Sequence, residues 1–200
     1  TAGPVGPGEL TVRLAAGDLN GDGRDDLVVV AGGTAEVFVY LQSSAGVGLT
    51  PAQLFRGAPD YELPVGLLPS DVALADVDGD QRLDIVVTNE SSGDVSVLRN
   101  DPSVPFAEES RYRAGAGLYY LEVVREALVV RSGEKPTRIL AGNFDADANV
   151  ELIVTNSGSN NVSVIDTATN TVVATVGVGL SPLGVAVTPD GTRVYVVNIG

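Results

Sequence analysis

The chain has 200 residues, 44% of them hydrophobic and 19% charged, and a formal net charge of −14. That balance belongs to a globular chain with a real core, and its negative excess excludes a nucleic-acid partner, whose phosphates need clustered Lys and Arg. His, Cys, Trp and Met are all absent, which excludes Ser-His-Asp and Cys-His catalysis, disulfides and zinc held by thiolate or imidazole.

Many Val and Gly residues, 5% aromatics and 11 prolines predict an all-β fold. No apolar run approaches the roughly 20 residues of a membrane span. The lack of any Met or signal-peptide pattern reads as a mature product or a fragment.

In chain order, residues 1–9 are Gly- and Pro-rich and linker-like. A first unit covers 10–68, with predicted strands at 10–17, 26–30 and 35–42 and a short outer strand at 53–56. A second covers 69–114, with strands at 71–75, 84–89 and 95–99 and an outer strand near 110–113. An insertion at 115–136 carries both a helical stripe (Leu118, Leu121, Val124, Leu128) and β-favouring residues (Tyr119, Val123, Val129, Val130). A hairpin or an extended outer strand is the expectation there. A third unit spans 137–180, with strands at 161–166 and 171–176. Residues 181–200 make half of a fourth, with strands at 183–187 and 193–197 around Pro189-Asp190-Gly191.

The first two strands of each complete unit flank a nine-residue loop. The first is Asp18-Leu-Asn20-Gly-Asp22-Gly-Arg24-Asp-Asp26 and the second Asp76-Val-Asp78-Gly-Asp80-Gln-Arg82-Leu-Asp84. A worn copy reads Asn143-Phe-Asp145-Ala-Asp147-Ala-Asn149-Val-Glu151. Oxygen-bearing side chains stand at positions 1, 3, 5 and 9 in all three. A tightly coiled loop turns positions 1, 3 and 5 towards one point, and position 9 closes the cage. Hard oxygen donors of this number and charge suit Ca²⁺ better than Mg²⁺, which demands a stricter octahedron. An EF-hand is excluded, because position 12 is Val29 or Val87 rather than Glu and a strand follows. The plainer alternative is a set of Asp/Asn/Gly turns without a metal.

The loops start at 18, 76 and 143, 58 and then 67 residues apart, a period of propeller blades or a solenoid. The stretches 14–33 and 72–101 resemble FG-GAP and VCBS repeats, the calcium-loop blades of integrin-type β-propellers. The resemblance implies Ca²⁺ in the hairpin between the first and second strands. Its ligands would be Asp18, Asn20, Asp22 and Asp26; Asp76, Asp78, Asp80 and Asp84; and Asn143, Asp145, Asp147 and Glu151. Backbone carbonyls at position 7 (Arg24, Arg82, Asn149) would each add one. Residues 154–198 resemble the YVTN-type propeller repeat, with Val-Thr-Asn at 154–156 and Val-Val-Asn at 196–198. The expected architecture is therefore a β-propeller of four-stranded antiparallel blades, about three and a half of them, within a larger or multi-chain ring.

The functional expectation is a calcium-stabilised extracellular or cell-surface module for recognition, adhesion or surface architecture. Its partner would be a protein or glycan ligand at one propeller rim, or another copy of itself. A non-catalytic, carbohydrate-binding part of a larger secreted enzyme and a subunit of an extracellular filament are the alternatives. No enzymatic role is expected, because the best carboxylate clusters are already assigned to the loops. Asn89-Glu-Ser91 and Asn161-Val-Ser163 match the glycosylation acceptor pattern.

Overall fold

A computed structural model of the chain describes residues 12–43, 58–115, 119–124, 127–145, 147 and 149–200. Three four-stranded antiparallel sheets follow one another, each in simple sequence order. The first holds β1 (Val12–Gly17), β2 (Asp26–Ala31), β3 (Glu36–Tyr40) and β4 (Tyr61–Pro64). The second holds β5 (Pro69–Ala75), β6 (Asp84–Asn89), β7 (Asp94–Asn100) and β8 (Pro105–Arg113). A separate hairpin, β9 (Tyr119–Val124) with β10 (Ala127–Ser132), occupies the insertion, following its β-branched residues rather than its helical stripe. The third sheet is β11 (Pro136–Gly142), β12 (Glu151–Asn156), β13 (Asn161–Asp166) and β14 (Thr171–Gly177). A two-stranded sheet, β15 (Pro182–Val187) and β16 (Val194–Asn198), comes last. No helix among the described residues is long and apolar enough to cross a membrane.

Two outer strands differ from the sequence expectation in their bounds. The outer strand expected at 53–56 falls outside the described residues, and β3 takes β4 as its outer partner, with Val39 opposite Tyr61. The outer strand of the second sheet begins at Pro105, well before 110.

The sheets stack face to face, and burial shows the order. Val28, Val30, Val37 and Val39 of the first sheet pack on Ile85, Val87 and Leu98 of the second. Val86, Val95 and Val97 point the other way, onto Ile139, Leu152, Val154 and Ile165 of the third. A central strand covered on both faces reads as a continuous apolar run rather than an alternation. Accordingly all six residues of β6 and of β12 are buried, whereas β2 still alternates at its start. The first strands line up in the order β1, β5, β11, β15, so this edge of the stack follows the chain. These are the blades of a β-propeller.

Each later blade opens on the same device. Leu68, Lys135 and Ser181 have positive φ immediately before Pro69, Pro136 and Pro182, although a residue before proline is normally driven to extended backbone. Each proline is followed by a register shift. The shift frees the next side chain to reach across: Ser70 Oγ donates to the Pro136 carbonyl at 2.7 Å, and Thr137 Oγ1 to that of Pro182 at 3.1 Å. Asp71 ties three blades, accepting from Ile139 N at 3.1 Å and lying 3.8 Å from Arg13 Nε. Asn89 is fully buried, with its Nδ2 donating to Asp94 and Ser96, so that acceptor pattern is closed to a glycosylating enzyme.

Candidate metal centres in the blade hairpins

All three loops join the first and second strands of their blades. Position 1 organises the coil in two of them. Asp18 Oδ1 accepts from the N–H of Gly21 and Asp22, and its Oδ2 accepts from Gly23 at 2.7 Å. Asp76 repeats the pattern with Gly79, Asp80 and Gln81. Positions 3 and 5 add Asx turns: Asn20 and Asp78 accept from the position-5 N–H, while Asp22 and Asp80 accept from that of Arg24 and Arg82. The coil needs left-handed backbone at positions 4 and 6. Gly21 and Gly23 supply it in the first loop; Gly79 and the non-glycine Gln81 (φ 70) supply it in the second.

The third loop lacks the position-1 carboxylate. Asn143 instead donates through Nδ2 to the Asp147 carbonyl. Asp145 accepts from Asp147 N, and Asp147 from Asn149 N.

Position 9 has a second role that its spacing did not reveal. Asp26 and Asp84 are 1% exposed, and each takes a backbone N–H on both oxygens. One donor is the position-2 amide, Leu19 or Val77, at 2.9 Å. The other is the amide sixteen residues on, Gln42 or Asn100, at 2.8 Å. Glu151 accepts from Phe144 N at 2.7 Å. The ninth residue thus closes the hairpin as well as the loop.

Carboxylates converge at two of the three sites. Asp76, Asp78 and Asp84 bring ligand oxygens within 4.8 Å of one another, and so do Asp145, Asp147 and Glu151. Asp80 lies outside the first group. In the first loop the Asp22 carboxylate is claimed by the Arg24 guanidinium, and Asp18, Asp22 and Asp26 form no such group. An ionised carboxylate offers about four lone-pair sites, so oxygens that accept one N–H retain capacity for a cation. The donor set is all oxygen and anionic, which fits Ca²⁺.

The electrostatics match an arrangement that wants positive charge. Burial pushes the Asp84 pKa up against the donations from Asn100 and Val77, and the charges of Asp78 and Asp80 push it further. Asp26 is raised in the same way, by burial and then by Asp22 and Asp18. Burial raises Glu151 too, with Asp145, Asp147 and Asp166 adding to it. For Asp18 desolvation is outweighed by the backbone donors Gly23, Gly21, Asp22 and Asn20, and its pKa is lowered. Asp18 is stabilised as an anion by its loop, whereas Asp26, Asp84 and Glu151 are held as anions at a cost.

Two residues absent from the predicted site complete it. Asn100 Nδ2 donates to Leu19 O of the preceding blade's loop at 2.6 Å and to Leu83 O of its own at 3.2 Å. Thr167 Oγ1 does the same with Val77 O at 3.1 Å and Val150 O at 2.6 Å. The available signal was a polar residue at one fixed offset after position 9 in every unit: Gln42, Asn100 and Thr167.

Residues 18–87, which include the first two loops, match the FG-GAP-like repeat family model. No curated protein sequence matches the chain. Among solved structures, the crystal structure of BBS1N in complex with ARL6DN, soaked with mercury, is similar over 88% of this chain at 15% identity and a TM-score of 0.57. The chain spans about half of that structure's length, 46%. The V. cholerae biofilm matrix protein Bap1 aligns over 88% of this chain and 30% of its own, at 19% identity and a TM-score of 0.36.

Proposed function

We propose that this is a calcium-binding β-propeller module, extracellular or cell-surface, that serves recognition, adhesion or surface architecture and performs no catalysis. The observation that carries the reading is the convergence of Asp76, Asp78 and Asp84 in a first hairpin that matches the FG-GAP-like repeat. Ca²⁺ would supply structural charge neutralisation there, with Asp145, Asp147 and Glu151 as a second cage and the Asp18–Asp26 loop as a third. Asn20, Asp80 and Asn143, and the carbonyls of Arg24, Arg82 and Asn149, are the remaining proposed ligands. A cation that binds only the folded chain stabilises it by mass action. Sites on exposed loops suit the millimolar calcium found outside cells.

A groove of about 480 Å³ beside the second loop, lined by Asp76, Asp78, Arg99, Asn149 and Thr167, offers the loop rim a place for a protein or glycan ligand. Self-association is the second reading, favoured by the exposed Tyr195, Val197 and Ile199 along and just beyond β16.

Thermal melts in millimolar Ca²⁺ and in excess chelator test the proposal. A calcium-restored rise in Tm that Asp78→Ala reduces is the expected result. Identical melts would leave the loops as metal-free turns. Light scattering across a concentration series separates a monomer from the self-associating form.

A further inference from the structure

We infer that Asn100 and Thr167 are positioning residues, each clasping the candidate cation loops of two neighbouring blades at once. The inference rests on the calcium reading of those loops and extends it to residues that touch no cation.

The geometry is the same at both places. Asn100 is 2% exposed and ends β7; Thr167 is 5% exposed and follows β13. Each side chain stands between the position-2 carbonyl of the preceding blade's loop and the position-8 carbonyl of its own. The two partners of Thr167 are 90 and 17 residues away in sequence, those of Asn100 81 and 17. An Asn amide has two N–H groups and can serve both carbonyls; a Thr hydroxyl has one hydrogen to share between them.

What the clasp holds matters for the site. The position-2 residue is gripped from both sides: its N–H by the position-9 carboxylate, its C=O by the clasp. Leu19 N donates to Asp26 and Leu19 O accepts from Asn100; Val77 N donates to Asp84 and Val77 O accepts from Thr167. That residue links the position-1 and position-3 donors, so fixing the peptide groups on its two sides helps to set where their oxygens point. Asn100 N also donates to Asp84, which puts one residue in contact with both loops' frames. Continuous hydrogen bonding therefore runs from Asp26 through Leu19, Asn100, Asp84, Val77 and Thr167 to Val150, across three blades.

The test is a titration of the full chain with CaCl₂, followed by amide NMR at Gly21 for the first loop and Gly79 for the second. Asn100→Val removes the donor, and Asn100→Thr supplies the hydroxyl that serves at 167. We expect N100V to weaken calcium binding roughly three- to tenfold at both Gly21 and Gly79, the loss of one buried hydrogen bond. N100T recovers most of the loss at Gly21. Thr167→Val weakens Gly79 by a similar factor and leaves Gly21 within about twofold of the parent, a pattern that general destabilisation would not produce. The inference is overturned if N100V leaves Gly21 unchanged, if N100T is no better than N100V, or if T167V weakens both glycines equally. A parent chain with no calcium response at either glycine would sink the calcium reading instead. The clasp is then judged by amide exchange in chelator: faster exchange at Gly21, Asp22 and Gly23 in N100V than in N100T sustains it, and equal exchange overturns it.

Discussion

The second and third hairpin loops reach the same end by different routes. In the second, Asp76 gathers three backbone N–H groups and the coil wraps around its carboxylate. In the third, Asn143 occupies that place and donates its amide to the Asp147 carbonyl within the loop. Both loops nevertheless bring three carboxylates together, using positions 1, 3 and 9 in one case and 3, 5 and 9 in the other. The position-1 acid shapes the loop, but both clusters share the acids at positions 3 and 9, and of these two only position 9 is buried. The first loop makes the point from the other side: it carries acids at positions 1, 5 and 9, yet one arginine diverts Asp22.

Removing position 9 is the harshest way to break the comparison. Asp84→Ala strands two backbone N–H groups and should cost about 3 kcal/mol, and Glu151→Ala about 1 kcal/mol, because one such donor is seen there. Urea unfolding in chelator measures both, and equal losses would show that the two loops are not held differently.

The pH dependence should reverse with calcium. Asp26, Asp84 and Glu151 have folded pKa values above their ordinary 3.8, 3.8 and 4.5, so the folded chain binds more protons than the unfolded one in the window above those values. Without a cation, stability therefore falls as pH rises through that window. In millimolar Ca²⁺ the ionised forms are the ones that bind, and stability should rise over the same range. Denaturation midpoints from about pH 4 to pH 7 in calcium and in chelator check this. Parallel curves would mean that these carboxylates meet no cation.

A restoring change sharpens the contrast. Asn143→Asp supplies the missing position-1 acid and should raise calcium affinity at the third loop by about tenfold, since ligand charge tunes such sites. Calorimetric titration reads the change, and an unaltered isotherm would mean that the Asn143 geometry already suffices. Arg24→Gln releases Asp22 and should tighten the first loop about threefold, in keeping with a part-exposed ion pair. The smallest effect is expected of Gln81→Gly, which removes left-handed strain where the first loop already has Gly23. A gain of about 0.5 kcal/mol in thermal stability is expected, and a loss would mean that the Gln81 side chain contributes more than its backbone costs.

Much of the fold was legible because its signals are local. Asx side chains that bond amides two to five residues on make the loops readable as loops, and the apolar runs at 27–30, 85–87 and 152–154 announce strands covered by neighbours. The glycosylation pattern at Asn89 misled for the opposite reason, since three residues say nothing of a blade packed on top of them. The repeated Gly-x-x-Pro at 66–69, 133–136 and 179–182 was also there to be read as the opening of each later blade.

By itself the sequence determined the blade period, the hairpin loops and the anionic, all-oxygen character of their donors, because these follow from side-chain chemistry at short separations. Tertiary structure alone decided which carboxylates converge, how deeply position 9 is buried and which residues clasp neighbouring loops. Those depend on partners as far apart as Asn100 and Leu19 or Thr167 and Val77, brought together only when the apolar faces of successive blades leave water.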